Sequence, residues 1–340
     1  MKAIMKLHGK HGIWMDDAPE PKCGTNDVKI KVTHSSICGT DLHIYKWNKW
    51  AEDNIATPLI IGHEFCGIVH EVGSSVTHYS PGQRVSGEGH ITCGYCRNCR
   101  AGQKHLCHRT IGIGIHRDGA FADYIVIPES NVWPIHEEIP SDIASFFDPF
   151  GNAVHAGLHY EMIGEDVLIT GAGPIGLMAI SICNFVGARN VVITDVNEYR
   201  LDLAREMGAT KAINVRNNSI AEFFPELNMK SGFDVGLEMS GASEALIDIV
   251  SNMYHGGKIA LLGLIPNTTQ INWDSIIFKG LTVKGIYGRE MYETWYKMTQ
   301  MLRSGLNVSK IVTHKLPVNE YEKAFSIVES GECGKVIMVW

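Results

Sequence analysis

The chain contains no uninterrupted apolar run long enough to cross a bilayer as a helix, no internal repeat and no low-complexity segment. It therefore reads neither as a helical membrane protein nor as a solenoid. Positive charge is also scarce: 30 Lys and Arg stand against 37 Asp and Glu, a formal net charge of -7 with a pI near 6.1. That balance argues against a generic nucleic-acid surface, although Arg97, Arg100 and Lys104 gather locally. The opening MKAIMKLHGKHGIWMDD scatters its charges and has no apolar h-region, so no secretory leader is expected. The nine cysteines are odd in number, and four crowd into residues 93–107, which suits a metal better than a disulfide framework. With 340 residues, 45% hydrophobic and 20% charged, the expectation is a soluble, cytoplasmic metalloprotein of two domains.

The grammar of the chain changes near residue 149. Before it, short β-like runs such as VKIKVTH, FCGIVHEV and FADYIVIP are punctuated by Gly, Pro and Asn. After it, DVLITGAGPIGLMAISICNFVGARNVVITDVNEYRLDLAREMGA reads as strand, Gly-rich turn, helix, strand and helix. Further strand-like runs follow at AINV, FDVGLEMSG, GKIALLGL and LTVKGIYG. Strands alternating with helical stretches predict βαβ units and a doubly wound parallel sheet, an α/β class.

Gly171-Ala172-Gly173-Pro174-Ile175-Gly176 fits G-x-G-x-x-G between a strand and an apolar helical stretch. Gly171 permits the tight turn, Gly173 lets backbone approach a pyrophosphate, and Gly176 allows close helix–strand packing. The helix N-terminus then offers free N–H groups to phosphates. Asp195 ends the next strand-like run, NVVITD, where a carboxylate can bind a ribose 2′-hydroxyl and repel a 2′-phosphate. NAD is therefore favoured over NADP, although Arg200 nearby is of the kind that can serve NADP.

Cys93, Cys96, Cys99 and Cys107 form C-x2-C-x2-C-x7-C. Four thiolates so close can surround one zinc ion and leave it no open position, which makes the site structural. An iron–sulfur cluster also uses four cysteines, but zinc better suits a compact, loop-only setting. A catalytic metal needs fewer protein ligands and an open position. Cys38, His63, Glu64 and Cys66 are candidates for it, with Asp148 and His155 further on. His63 and Glu64 are adjacent, so both can face one ion only across a turn, which Gly62 permits. The bland alternatives are a core histidine and a solvated glutamate. Cys66 and Cys183 read as small buried hydrophobes, while His34, His90 and His155 have no spacing argument.

Taken together, CGTDLHIY, GHEFCG, GEGHITCGYCRNCRAGQKHLC, DPFGNAVHAG and GAGPIG resemble the zinc-dependent medium-chain dehydrogenases, over essentially the whole chain. The resemblance implies a β-rich, GroES-like catalytic domain over 1–148 and 289–340, with a zinc lobe at 90–110, and a Rossmann domain over 149–288. It assigns Cys38, His63 and Glu64 to a catalytic zinc and the four cysteines of the lobe to a structural zinc. Thr40 and His43 become a proton relay, and Asp148 an acidic residue near the metal. For NAD it implies Ile175 and the glycines of the turn, Asp195 and Arg200 at the adenosine ribose, Leu262, Gly263 and Leu264, and Ile286 and Tyr287 at the nicotinamide end. The implied reaction is oxidation of a secondary alcohol, with L-threonine the substrate that the longer blocks, such as GIYGREMYETWYKM, point to. A polyol or 2,3-butanediol would suit the same scaffold, and a non-catalytic dinucleotide-binding protein is the rival of another class. The implied assembly is a homotetramer, in which the 281–287 run could pair with a second subunit.

Overall fold

A computed structural model describes residues 1–340, and the chain forms two compact units. The first comprises Met1–Asp148, Glu290–Thr299 and Val312–Trp340; the second comprises Pro149–Arg289 and Gln300–Ile311. The sequence suggests a single return to the first unit at 289, whereas residues 300–311 belong to the second. There the turn Ser309–Ile311 packs on the helices Pro174–Phe185 and Glu198–Glu206, and Lys310 Nζ donates to the Glu206 carbonyl at 2.8 Å. So short an attachment has no periodicity to announce it.

The first unit is built on a seven-stranded sheet. Its central strand, Asp27–Ser36, pairs antiparallel with Phe65–Val72, Tyr124–Pro128 and Lys335–Val339. Val28, Ile30 and Val32 of that strand pack with Phe65, Val69, Val85 and Ile127 in one apolar cluster. A second cluster joins Ile4, Ile44, Phe121, Phe325 and Met338, and so fixes the helix Gly39–Lys46 against the last strand. The pairing of Asp27–Ser36 with Phe65–Val72 shifts register between Val32 and His34, opposite Cys66 and Gly67. Such a bulge bends a strand and re-aims the residues beside it; here it lies just past His63 and Glu64.

The second unit carries six parallel strands. Across the sheet they run Lys211–Asn214, Asn190–Asp195, Asp166–Thr170, Phe233–Glu238, Met253–Leu261 and Thr282–Gly285. In order of sequence that is 3-2-1-4-5-6, the dinucleotide-binding arrangement, whose order reverses beside the first strand. Asp166–Thr170 is buried throughout, as a strand covered on both faces must be. Leu168, Val192, Phe233, Ile249 and Ile259 share its core.

Gly62 sits at φ +90°, and a Cβ there would lie 2.1 Å from the Phe121 ring. This is the turn that lets consecutive His63 and Glu64 face the same way. Gly62→Ala is expected to lose at least about 1–3 kcal/mol from backbone strain alone, visible as a lower urea midpoint.

Candidate active site and metal centres

The helix Gly39–Lys46 starts at Cys38, which adopts extended backbone at the N-cap. Asp41, three residues on, accepts the Cys38 N–H at 2.9 Å, so the turn bearing the thiol is held by a carboxylate with no access to water. Thr40 Oγ1 lies 3.8 Å from Cys38 Sγ. His43 stands on the same helix, exposed.

Cys38, His63 and Glu64 bring one ligand atom each within 4.8 Å of one another. His63 and Glu64 are buried, and His63 Nδ1 and Glu64 Oε1 are without a hydrogen-bond partner. Burial opposes charge on His63, yet the Cys38 thiol and the Asp41 and Asp148 carboxylates outweigh it and hold the ring well above the ordinary histidine range. An excess of negative groups around one imidazole, with an unmatched carboxylate oxygen, is what a cation satisfies. The donors fit zinc: sulfur, nitrogen and oxygen come from three residues, one fewer than its usual four ligands. Asp148 is buried and near enough to act on His63, but it is not among the three converging donors.

Two residues without an assigned role in the sequence complete this surround. Asp41 Oδ1 stands 3.9 Å from His63 Nδ1, beyond hydrogen-bond range, and its charge favours the protonated ring. Burial pushes the Asp41 carboxyl up to about 6. The C-x-x-D spacing from Cys38 was the available signal, since it is a capping box with a thiol in place of the hydroxyl. Lys335 lies on the last strand. Its Nζ pairs with Glu64 Oε2 at 2.5 Å and donates to the Ile37 carbonyl at 2.9 Å, while Ser36 Oγ donates to the same carboxylate oxygen. One oxygen of Glu64 is thereby fixed and the other left open. Nothing local to Lys335 could have foretold this.

The four cysteines of the lobe also meet. Metal–sulfur bonds of about 2.3 Å give a tetrahedron sulfur–sulfur edges of about 3.8 Å; Cys93 and Cys107 stand 3.6 Å apart, and the Cys93–Cys99 and Cys96–Cys107 pairs 4.0 Å. These edges fit one ion, whereas a multi-iron cluster would spread its thiolates further. Burial raises the Cys107 thiol, but N–H groups of Cys93 and Arg109, each 3.4 Å from its sulfur, prevail and bring it down to about 6. A thiolate is favoured there before any metal arrives.

In the second unit, Gly171 adopts φ +95° against Ser240, and a Cβ on Gly176 would meet the Gly171 carbonyl at 2.0 Å. Around Gly173 there is open space, as backbone that must approach a phosphate requires. Asp195 Oδ2 accepts the Ala172 N–H at 2.7 Å and so ties the end of its strand to this turn. Arg200 lies in the first turn of the next helix, which Asn197 caps. Leu262 and Gly263 donate to the Glu238 carbonyl. A Cβ on Gly263 would strike Glu238 Oε2 and Gly241 N, both at 2.3 Å, so packing already demands this glycine. Leu264 is 94% exposed; Ile286 is buried, leaving Tyr287 as the exposed member of its pair. All these positions lie at or beyond the C-terminal ends of parallel strands, where such sheets bind ligands.

The histidines without a spacing argument have ordinary partners: His34 with Asp142 at 3.4 Å, His90 with Glu88 at 3.4 Å, and His155 with the Gly288 carbonyl at 2.9 Å. Cys66 and Cys183 are fully buried, and burial raises their thiols to about 11 and about 12.

Residues 24–137 match the family profile Alcohol dehydrogenase GroES-like domain, and residues 174–304 match Zinc-binding dehydrogenase. The chain is 57% identical over 340 residues to an L-threonine 3-dehydrogenase of Marinomonas sp. (strain MWYL1), with 100% of both chains covered. The chain belongs to the L-threonine 3-dehydrogenase family of zinc-binding dehydrogenases. Among solved structures it is similar to an alcohol dehydrogenase of Escherichia coli CFT073 complexed with NADH, at 27% identity and TM-score 0.91, covering 100% and 99% of the two chains. A zinc-binding dehydrogenase of Sinorhizobium meliloti 1021 bound to NADP is similar at 28% identity, TM-score 0.89 and the same coverage. A dehydrogenase of this family thus carries, in this chain, two thiol-bearing clusters and a dinucleotide-type turn.

Lys335→Met leaves the Glu64 carboxylate buried without its counter-charge, so the metal-free protein is expected to lose about 3–5 kcal/mol in urea unfolding. Lys335→Arg should recover much of that loss. A second buried ammonium, Lys6, fixes the far end of the Gly39–Lys46 helix: its Nζ donates to the carbonyls of Lys10, Gly12 and Tyr45 and lies 4.9 Å from the Trp47 ring centre. Burial pulls Lys6 from 10.5 down to about 8. The folded value lies below the unfolded one, so the burial cost is full below about pH 8 and fades as the pH rises towards 10.5. Stability relative to Lys6→Met should therefore increase across that window; urea midpoints that run parallel would refute it.

Proposed function

We propose that the chain oxidises the secondary hydroxyl of L-threonine to 2-amino-3-oxobutanoate with reduction of NAD. The observation that carries this reading is the convergence of Cys38, His63 and Glu64 beside Thr40, in a chain 57% identical from end to end to an L-threonine 3-dehydrogenase. Zinc held by Cys38, His63 and Glu64 would supply Lewis-acid chemistry that makes the alcohol proton easier to lose. Thr40 is placed to take part in passing that proton, and exposed His43 to hand it to solvent. Lys335 orients Glu64 from behind, and Asp41 holds the turn of Cys38 and places negative charge beside His63. Asp148 keeps negative charge near the site. Asp195 favours a ribose 2′-hydroxyl and repels a 2′-phosphate, which supports NAD over NADP despite Arg200.

The reading includes two zinc ions per chain, the one at Cys93, Cys96, Cys99 and Cys107 structural. Thiols that must stay reduced to hold metal suit the cytoplasm. A homotetramer is supported by the edge strand Thr282–Gly285, exposed at all four residues, and by Trp273, Ile277 and Phe278, exposed by 66%, 70% and 77%. Light scattering should return four times the 37.6 kDa of one chain.

In an absorbance assay on zinc-replete protein, L-threonine should be oxidised faster than sorbitol or 2,3-butanediol. Faster oxidation of 2,3-butanediol would overturn the substrate assignment. His43→Asn should lower turnover by about 10²-fold or more with zinc content unchanged; loss of a zinc equivalent would make His43 a ligand instead.

A further inference from the structure

The ring of His43 is held by a neighbour whose orientation is itself fixed. Asn48 Nδ2 lies 2.7 Å from His43 Nδ1. An amide can present either its oxygen or its nitrogen to a ring, and its other contacts decide which. Asn48 is the N-cap of the helix Lys49–Asn54, and its Oδ1 accepts the Ala51 N–H at 3.1 Å. Turning the amide over would set two donors face to face at the cap. Oδ1 is committed, so Nδ2 must donate, and Nδ1 must accept. A ring nitrogen that accepts carries no proton, and neutral His43 therefore bears its N–H on Nε2. The backbone enforces the pairing: Trp47 turns through the left-handed region at φ 52°, and the Asn48 N–H donates to the His43 carbonyl at 3.4 Å. The Trp50 ring stands beside the imidazole at 6.1 Å between centres.

We propose that Asn48 is a positioning residue that fixes the tautomer of His43 and so selects Nδ1 as the nitrogen that takes up the proton. The proposal rests on the reading of His43 as the outer member of the relay. With Nε2 already protonated, the incoming proton bonds to Nδ1 as Asn48 lets go, and the Nε2–H bond breaks to a solvent base. That leaves the proton on Nδ1 and Nε2 bare, so the reset is a second exchange with solvent. Nε2 takes a proton from water, the Nδ1–H bond breaks to the base so formed, and Asn48 then donates to the bare Nδ1 and holds the starting tautomer. Proton delivery is then tied to the motion of one amide on a helix cap.

The test is ¹⁵N NMR of zinc-loaded, full-length protein labelled at histidine, in alkaline buffer where neutral rings are observed. The chain has 16 histidines, and the His43 signals are those lost in His43→Gln. Wild type should show Nε2 protonated and Nδ1 bare. Asn48→Asp keeps a good N-cap but offers Nδ1 an acceptor, so it should invert the tautomer. Asn48→Ala should reduce the Nε2–H to Nδ1–H ratio by about fivefold, what one net hydrogen bond sustains. A wild-type ring protonated at Nδ1, or a ratio equal in wild type and Asn48→Ala, overturns the proposal. Circular dichroism and zinc content guard against a folding defect, with Asn48→Asp as the variant that preserves the cap. Turnover measured alongside separates the two readings: a tautomer that inverts with turnover unchanged upholds the role of Asn48 and removes His43 from the relay.

Discussion

Lys335 and Glu64 form an ion pair sealed from water, and the geometry of the candidate catalytic centre depends on it. Two charges out of solvent cost several kcal/mol each unless they meet each other and spare hydrogen-bonding capacity is filled. Here the Ile37 carbonyl and the Ser36 hydroxyl fill it. The result is directional. One Glu64 oxygen is immobilised, and the other remains uncommitted beside Cys38 and His63. A carboxylate restrained in this way can meet an ion without a large loss of side-chain freedom.

The same economy governs the remaining parts. Cys38 is placed by a capping carboxylate that also faces the histidine opposite, so Asp41 serves backbone and ligand set together. In the cysteine lobe, backbone N–H groups partly neutralise Cys107 in advance. In the second unit, Asp195 binds the glycine turn through one oxygen and the following backbone through the other. Each polar group that would otherwise be an expense is shared between fold and site.

How much of this the sequence disclosed follows the range of the interactions. The glycine turn, Asp195 and the four cysteines are local patterns, and their spacing is their geometry. The parallel sheet was legible from the alternation of apolar runs with helical stretches. Cys38, His63 and Glu64 needed the family resemblance, because nothing in their separation along the chain says that two loops meet. Lys335 is invisible to any local rule, 271 residues from its partner. Asp41 carried a capping signal, but its meaning required knowing that His63 lay behind it. The assignment of 300–311 to the second unit was missed because one turn and one lysine hydrogen bond leave no pattern.

Lys335–Val339 lies in the middle of the first unit's sheet, between Asp27–Ser36 and Val312–Pro317. A ribosome therefore emits Glu64 long before the counter-charge that steadies it. At about 5–20 residues per second, the 271 residues between them take on the order of ten seconds or more. Throughout that interval, in which the second unit is itself being made, the first has a gap in its sheet and a carboxylate without its ammonium. The last strand is thus a closing clasp, and metal meets a finished site only once that strand is in place.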